Sequence, residues 1–156
     1  MKILCCNSLG WLFILCLCPI CFAQTVTIRL INIKNGRPVP DQHISVSMLY
    51  EKNEAVPVKH DQITRVTDTK GKVQIILPDP APKYLSFSLQ INWARWRCSS
   101  SDVVLTQDLI QQGIVGRIPP KRSKDDVPIK ATPGEIVFPA RPLSFFERLF
   151  YPVMKE

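Results

Sequence analysis

Cysteine and histidine are nearly missing from the greater part of this chain of 156 residues. Five of its six cysteines, Cys5, Cys6, Cys16, Cys18 and Cys21, crowd into the first segment, and only Cys98 follows. A single thiol builds neither a disulfide framework nor a thiolate metal cluster. In an oxidising compartment it is either buried and inert or free to pair between chains. His43 and His60 are the only histidines, and no paired spacing relates them, so zinc and iron lack a ligand set. No Gly-x-Ser-x-Gly elbow offers a serine nucleophile, and no signature surrounds Cys98 to make it half of a Cys–His pair. The carboxylates are placed for other work. Asp125-Asp126 neighbours lysines, Asp79 lies between prolines, and Asp68 serves a turn. These absences predict a chain that is not an enzyme and carries no metal or cofactor.

Charge excludes a further class. Lysine and arginine outnumber the acids 20 to 13, but the excess is spread along the chain. Its densest point, Lys121-Arg122-Ser123-Lys124, is answered at once by Asp125-Asp126, is flanked by prolines and has no aromatic residue. Nucleic-acid surfaces combine a basic patch with interleaved aromatics, so nucleic acid is not expected as a partner.

What is present begins with an export signal. Lys2 is the only charge before Arg29, and an apolar run from Leu9 to Leu17 follows Asn7 and Ser8. Pro19 and the small-residue end Cys21-Phe22-Ala23 complete the pattern of a secretory signal peptide, residues 1–23, with cleavage expected after Ala23. An uncleaved leader would instead anchor the domain to a membrane, with its position changed and its architecture kept. Loss of the leader leaves Gln24 to Glu156, the size of one ordinary domain with a real core.

Period-two alternation dominates that part. Val26, Ile28 and Leu30 share one strand face, and Asn35-Gly36 supplies a turn. Ile44, Val46, Met48 and Tyr50 form a second apolar face, with His43, Ser45 and Ser47 turned the other way. Glu51 to Asp61 is a polar loop. Ile63 to Thr67 and Val73 to Leu77 flank Asp68-Thr69-Lys70-Gly71, which predicts a hairpin. After the prolines 78, 80 and 82, Leu85, Phe87, Leu89, Ile91 and Trp93 alternate with polar residues. Short alternating strands spaced by turns, with no long helix to cover them, predict an all-β antiparallel sandwich over residues 24–115. Thr106 to Gln112, stopped by Gly113, predicts a short helix that packs Leu109 and Ile110. Residues 116–134 carry four prolines and most of the local charge, and are expected to be an exposed connection. Glu135 to Phe138 returns as a strand. Ser144-Phe145-Phe146-Glu147 then fits a capping box that opens a C-terminal amphipathic helix, so 135–156 is expected to pack on the same domain.

Three stretches carry a family resemblance. Ile28-Arg29-Leu30-Ile31 leading to Asn35-Gly36-Arg37-Pro38-Val39-Pro40-Asp41 and Ile44-Ser45-Val46 resembles the opening of carboxypeptidase-regulatory-like domains. Thr67-Asp68-Thr69-Lys70-Gly71-Lys72-Val73, ending in Leu77-Pro78, resembles their Thr-Asp-x-x-Gly hairpin. Thr106 to Val115, with Pro133-Gly134-Glu135-Ile136-Val137 and Arg141-Pro142, is similar to extensions of secreted bacterial members. The first two span roughly Thr25 to Ile91. The resemblance implies a transthyretin-like, seven-stranded sandwich that serves as an accessory module, and transfers no binding residue. Transthyretin-like hydrolases of hydroxyisourate end in Tyr-Arg-Gly-Ser, whereas this chain ends Tyr151-Pro152-Val153-Met154-Lys155-Glu156.

Two groups of residues suggest contact surfaces. Arg95, Trp96 and Arg97 combine a flat indole with cations, which suits stacking on sugar rings and gripping acidic substituents. Phe145, Phe146 and Phe150 form an apolar stripe that needs a cover. The expected function is protein–protein contact in the cell envelope, through the aromatic helix or a sheet edge. The alternative is a carbohydrate- or cell-wall-binding module using Trp96. The expected partner is accordingly an envelope protein or an extracellular glycan.

Overall fold

The computed structural model describes residues 24–50, 62–92, 95–99, 101–119 and 126–150; the leader, the loop at 51–61, Trp93 and the residues after Phe150 lie outside the described residues. The strands are β1 (Thr25–Asn32), β2 (His43–Leu49), β3 (Gln62–Val66), β4 (Lys72–Ile76), β5 (Tyr84–Gln90), β6 (Trp96–Arg97), β7 (Ser101–Leu105), β8 (Ile114–Val115) and β9 (Glu135–Pro142). Helices α1 (Thr106–Gln112) and α2 (Phe145–Phe150) follow β7 and β9.

Each alternating run has one apolar face, and two sheets bury those faces against each other. One sheet has the order β4-β1-β9-β6, with β8 also pairing β9, and the other has the order β3-β2-β5-β7. The all-β sandwich is therefore the fold, with Ile28, Leu30, Ile136 and Phe138 of the first sheet meeting Ile44, Val46, Leu85 and Phe87 of the second. Phe87 and Phe138, both fully buried, contact each other at 5.7 Å between ring centroids and a tilt of 60°. Tilted aromatic pairs of this kind add about 1 kcal/mol to the area they bury. Leu109 of α1 is buried in the same core and Ile110 packs against it, as the helix pattern predicts.

Four features differ from the expectations. The Asp68–Gly71 turn is not a hairpin, because β3 pairs with β2 and β4 pairs with β1. The turn has the expected local chemistry, with Asp68 Oδ1 accepting the Lys70 and Lys72 amides at 2.8 Å. It carries the chain from one sheet to the other, and alternation alone does not distinguish the two routes. Second, the sandwich is not purely antiparallel, since β9 runs parallel to both β1 and β8. Only a short connection forces antiparallel pairing, and the chain between β1 and β9 is long enough for either direction. Third, the described residues form nine strands where the family resemblance implies seven, the additions including the two-residue β6 and β8.

Fourth, the connection 116–134 is not simply exposed. Gly116 and Pro119 are buried, and the Val127 amide donates to Ile33 O at 2.8 Å. Glu135 binds Arg29 Nε at 2.8 Å while Arg29 Nη2 reaches Lys130 O at 3.1 Å, which clasps residues 130–135 over β1. Prolines and charges suggested solvation there. Ile31 and Val137, outward on β1 and β9, and Ile33 just past β1 are buried, and the segment bonds here through Gly116 N to Val137 O at 2.9 Å and Val127 N to Ile33 O. Among the described residues, no helix is long and apolar enough to cross a membrane.

Candidate functional site

The two groups of candidate residues, 48 positions apart at their nearest (Arg97 to Phe145), approach each other at one corner. Their junction is the short antiparallel ladder in which Trp96 pairs with Pro142 and Arg97 with Arg141. A turn after Ile91 prepares it, because Asn92 O accepts the amides of Arg95 and Trp96 at 2.9 Å. One step further, the Leu143 amide donates to Arg95 O at 2.9 Å, which fixes the chain entering α2 against the chain entering β6.

Glu147 locks α2 in place. Its Oε2 accepts the Ser144 amide at 2.9 Å, and Ser144 Oγ accepts the Glu147 amide at 3.3 Å, so the capping box forms as its spacing predicts. The same carboxylate receives a fork from Arg141, Nη1 to Oε2 at 3.0 Å and Nη2 to Oε1 at 2.7 Å. This bidentate geometry holds the Glu147 carboxyl well below the usual carboxylate range and raises the Arg141 guanidinium above its ordinary value. It also relieves the ladder, where two arginines stand directly opposite each other. The stability Glu147 contributes is therefore present above the ordinary carboxyl pKa and is lost only as pH falls through its depressed value.

The candidate side chains differ in availability. Phe145 is 72% exposed on the first turn of α2, Arg148 is exposed on the same helix, and Arg95 is exposed immediately before β6. Arg97 is half-buried. Trp96 is also half-buried and packs against the hydrophobic core, so part of its indole is committed to structure. Phe146 and Phe150 belong to α2, and their side chains lie outside the described residues. Sequence reasoning found the capping box but missed Arg141 as the residue that anchors it. Arg141 precedes Glu147 by six positions across a strand end, which matches no helical or strand period.

The remaining chemistry-bearing groups do not converge here. Cys98 is half-buried against the core, and burial pushes its thiol up to about 12, with Asp102 adding to the rise and a hydrogen bond from the Ser99 backbone opposing it. Its thiol stays protonated and unreactive at neutral pH. His43 is exposed on β2, and His60 lies outside the described residues. Among the described residues, no three His, Cys, Asp or Glu side chains gather to hold a metal ion. The corner can offer an apolar anchor, a partly covered indole and exposed guanidinium groups.

No family model matches the chain, and no curated protein matches it. Among solved structures, it is similar to the crystal structure of a group B streptococcus pilus 2b backbone protein, at 10% identity and a TM-score of 0.41 over 76% of this chain. The matched region spans 41% of the length of that protein.

Proposed function

We propose that this chain is a non-catalytic, secreted β-sandwich module that makes protein–protein contact in the cell envelope through the corner of β6, β9 and α2. The observation that carries the reading is Phe145, which is 72% exposed on a helix held rigid by its capping box and by the Arg141 fork. A preorganised aromatic anchor loses little freedom on binding, and burying it in a partner contributes about 2 kcal/mol. Exposed Arg95 and Arg148 suit a partner socket rimmed by carboxylates. The export signal supports the compartment. The resemblance to carboxypeptidase-regulatory-like domains supports an accessory rather than a catalytic role.

The test is site-specific photo-crosslinking in the producing cell, with the reactive residue at position 145 and, as a control, at exposed Ile76 on β4. A discrete protein adduct formed at 145 and not at 76, and lost with Arg95→Glu/Arg148→Glu, is expected. Equal adducts at both positions, or none at 145, would refute the reading. Saturable retention on peptidoglycan that Trp96→Ala abolishes would put the glycan-binding alternative in its place.

A further inference from the structure

We infer that the open edge of β7, with the cleft beside it, receives an extended peptide segment that adds as a strand and carries a basic side chain. The surface shares no residue with the corner of α2. Its first element is backbone left unpaired among the described residues. The Thr106 amide donates to Lys83 O at 3.1 Å, one step beyond the β5–β7 register in which Leu105 faces Tyr84 and Val104 faces Leu85. Bonded residues alternate along an antiparallel pair, so Val104 and Asp102 turn their main-chain groups toward β5. Val103 turns its N–H and C=O outward. Among the described residues, no strand pairs with that edge.

The edge is also poorly guarded. Sheet edges are usually protected by outward charges, and exposed Arg65 and Lys72 stand on the other two long edges, β3 and β4. On β7, Val103 and Leu105 are 59% and 40% exposed, while Asp102 is engaged by the Arg117 amide at 3.2 Å. Exposed β-branched and aliphatic side chains beside open main-chain donors and acceptors suit strand addition, in which the backbone supplies affinity and side-chain pockets supply selectivity.

The cleft defines the occupant further. It encloses about 430 Å³ between β7, α1 and β8, and its walls include Leu49, Tyr84, Val103, Leu105 and Ile114. Asp108, in the first turn of α1, is the charged residue of its lining. No hydrogen bond or ion pair within the described residues engages that carboxylate. Lys83 stands 5.6 Å over the centre of the Tyr84 ring and is not part of the lining. The fitting occupant is an extended segment with apolar residues against Val103 and Leu105 and a lysine or arginine against Asp108. A cleft open along a strand edge favours such a segment over a small enclosed ligand.

Selection from a library of random short peptides displayed on phage, against the purified full chain, tests this directly. Selected peptides are expected to alternate apolar residues and to carry lysine or arginine. Asp108→Asn should weaken them by about fivefold, the scale of a partly exposed ion pair. Val103→Pro removes the outward N–H and leaves the bonds to β5 in place, so it should abolish binding while the near-ultraviolet circular dichroism stays unchanged. If that variant misfolds, N-methylation of alternate residues in the selected peptides removes the same bonds from the other side and should abolish binding equally. The inference is overturned by peptides indifferent to these changes or by selected peptides rich in aspartate or glutamate. A library that yields no binder overturns it too, as does a cleft that takes small apolar molecules and no peptide.

Discussion

Replacing Gly71 with alanine should cost this protein far more than the same change at Gly134, although both glycines have positive φ. Gly71 has φ +65° and Gly134 has φ +75°, so an alanine at either position enters the left-handed region, at about 1 kcal/mol. The difference is the surroundings. At Gly134 the nearest atom to an added Cβ is Thr25 O at 3.6 Å, an ordinary contact. At Gly71 it would stand 2.5 Å from Leu30 O and 2.9 Å from Val39 N. Those atoms bond each other at 3.0 Å, and Gly71 O accepts the Leu30 amide at 2.8 Å. All are main-chain atoms, so no side chain can swing aside. Forcing such atoms apart adds roughly 2 kcal/mol, the middle of the range for an overpacked site. Gly71→Ala should therefore lose about 3 kcal/mol and Gly134→Ala about 1 kcal/mol. Urea unfolding with equal slopes for the two variants measures the difference from their midpoints. Equal losses would refute the argument, because the backbone conformation alone would then explain both.

Other outcomes follow from buried groups. Burial raises the Cys98 thiol from 9.0 to about 12, so the unfolded chain ionises first as pH rises. Stability should be unaffected below pH 9 and should fall by about 1.4 kcal/mol per pH unit above it, a loss absent from Cys98→Ala. Unfolding midpoints of the two proteins at pH 8 and about pH 10 check this, and parallel behaviour would show that the thiol is solvated. Glu135 accepts four hydrogen bonds, from Arg29 Nε and Nη2 and from the Thr132 amide and hydroxyl. Glu135→Ala should destabilise by about 2 to 3 kcal/mol in thermal unfolding, and a loss within error of zero would mean that the clasp over β1 is not holding.

The strands and their inward faces were legible because alternation is a local property. Val26, Ile28 and Leu30, then Ile44, Val46 and Met48, then Leu85, Phe87 and Leu89, are all buried as their periodicity demands. The ends of the helices were legible for a similar reason. Gly113 stops α1 at φ +72°, its amide bonded to Leu109 O, and Ser144 and Glu147 cap α2 through their own spacing. Pairing was not legible, since neither the turn at Asp68 nor the residues of β4 say which sheet they join. The row of β2 opposite its apolar face is covered as well, which alternation does not tell. Ser45 and Ser47 are buried, with Ser45 Oγ 2.9 Å from Thr64 Oγ1 on the neighbouring strand. At the corner, each candidate group could be proposed from composition, but a ladder of two residue pairs is too short to leave a pattern.

The placement of β9 also sets the order in which the molecule can be completed. Its partner β1 begins at Thr25, and 106 positions separate Arg29 from the Glu135 that clasps it. A chain made from the amino end holds its first strand without that neighbour until Glu135–Pro142 has been made. Loop closure over that distance is slow and is rewarded only when the ladder forms. The second sheet and the β1–β4 pair can form before β9 exists, but the first sheet stays open at its centre until that strand arrives, so closing the sandwich is the late step.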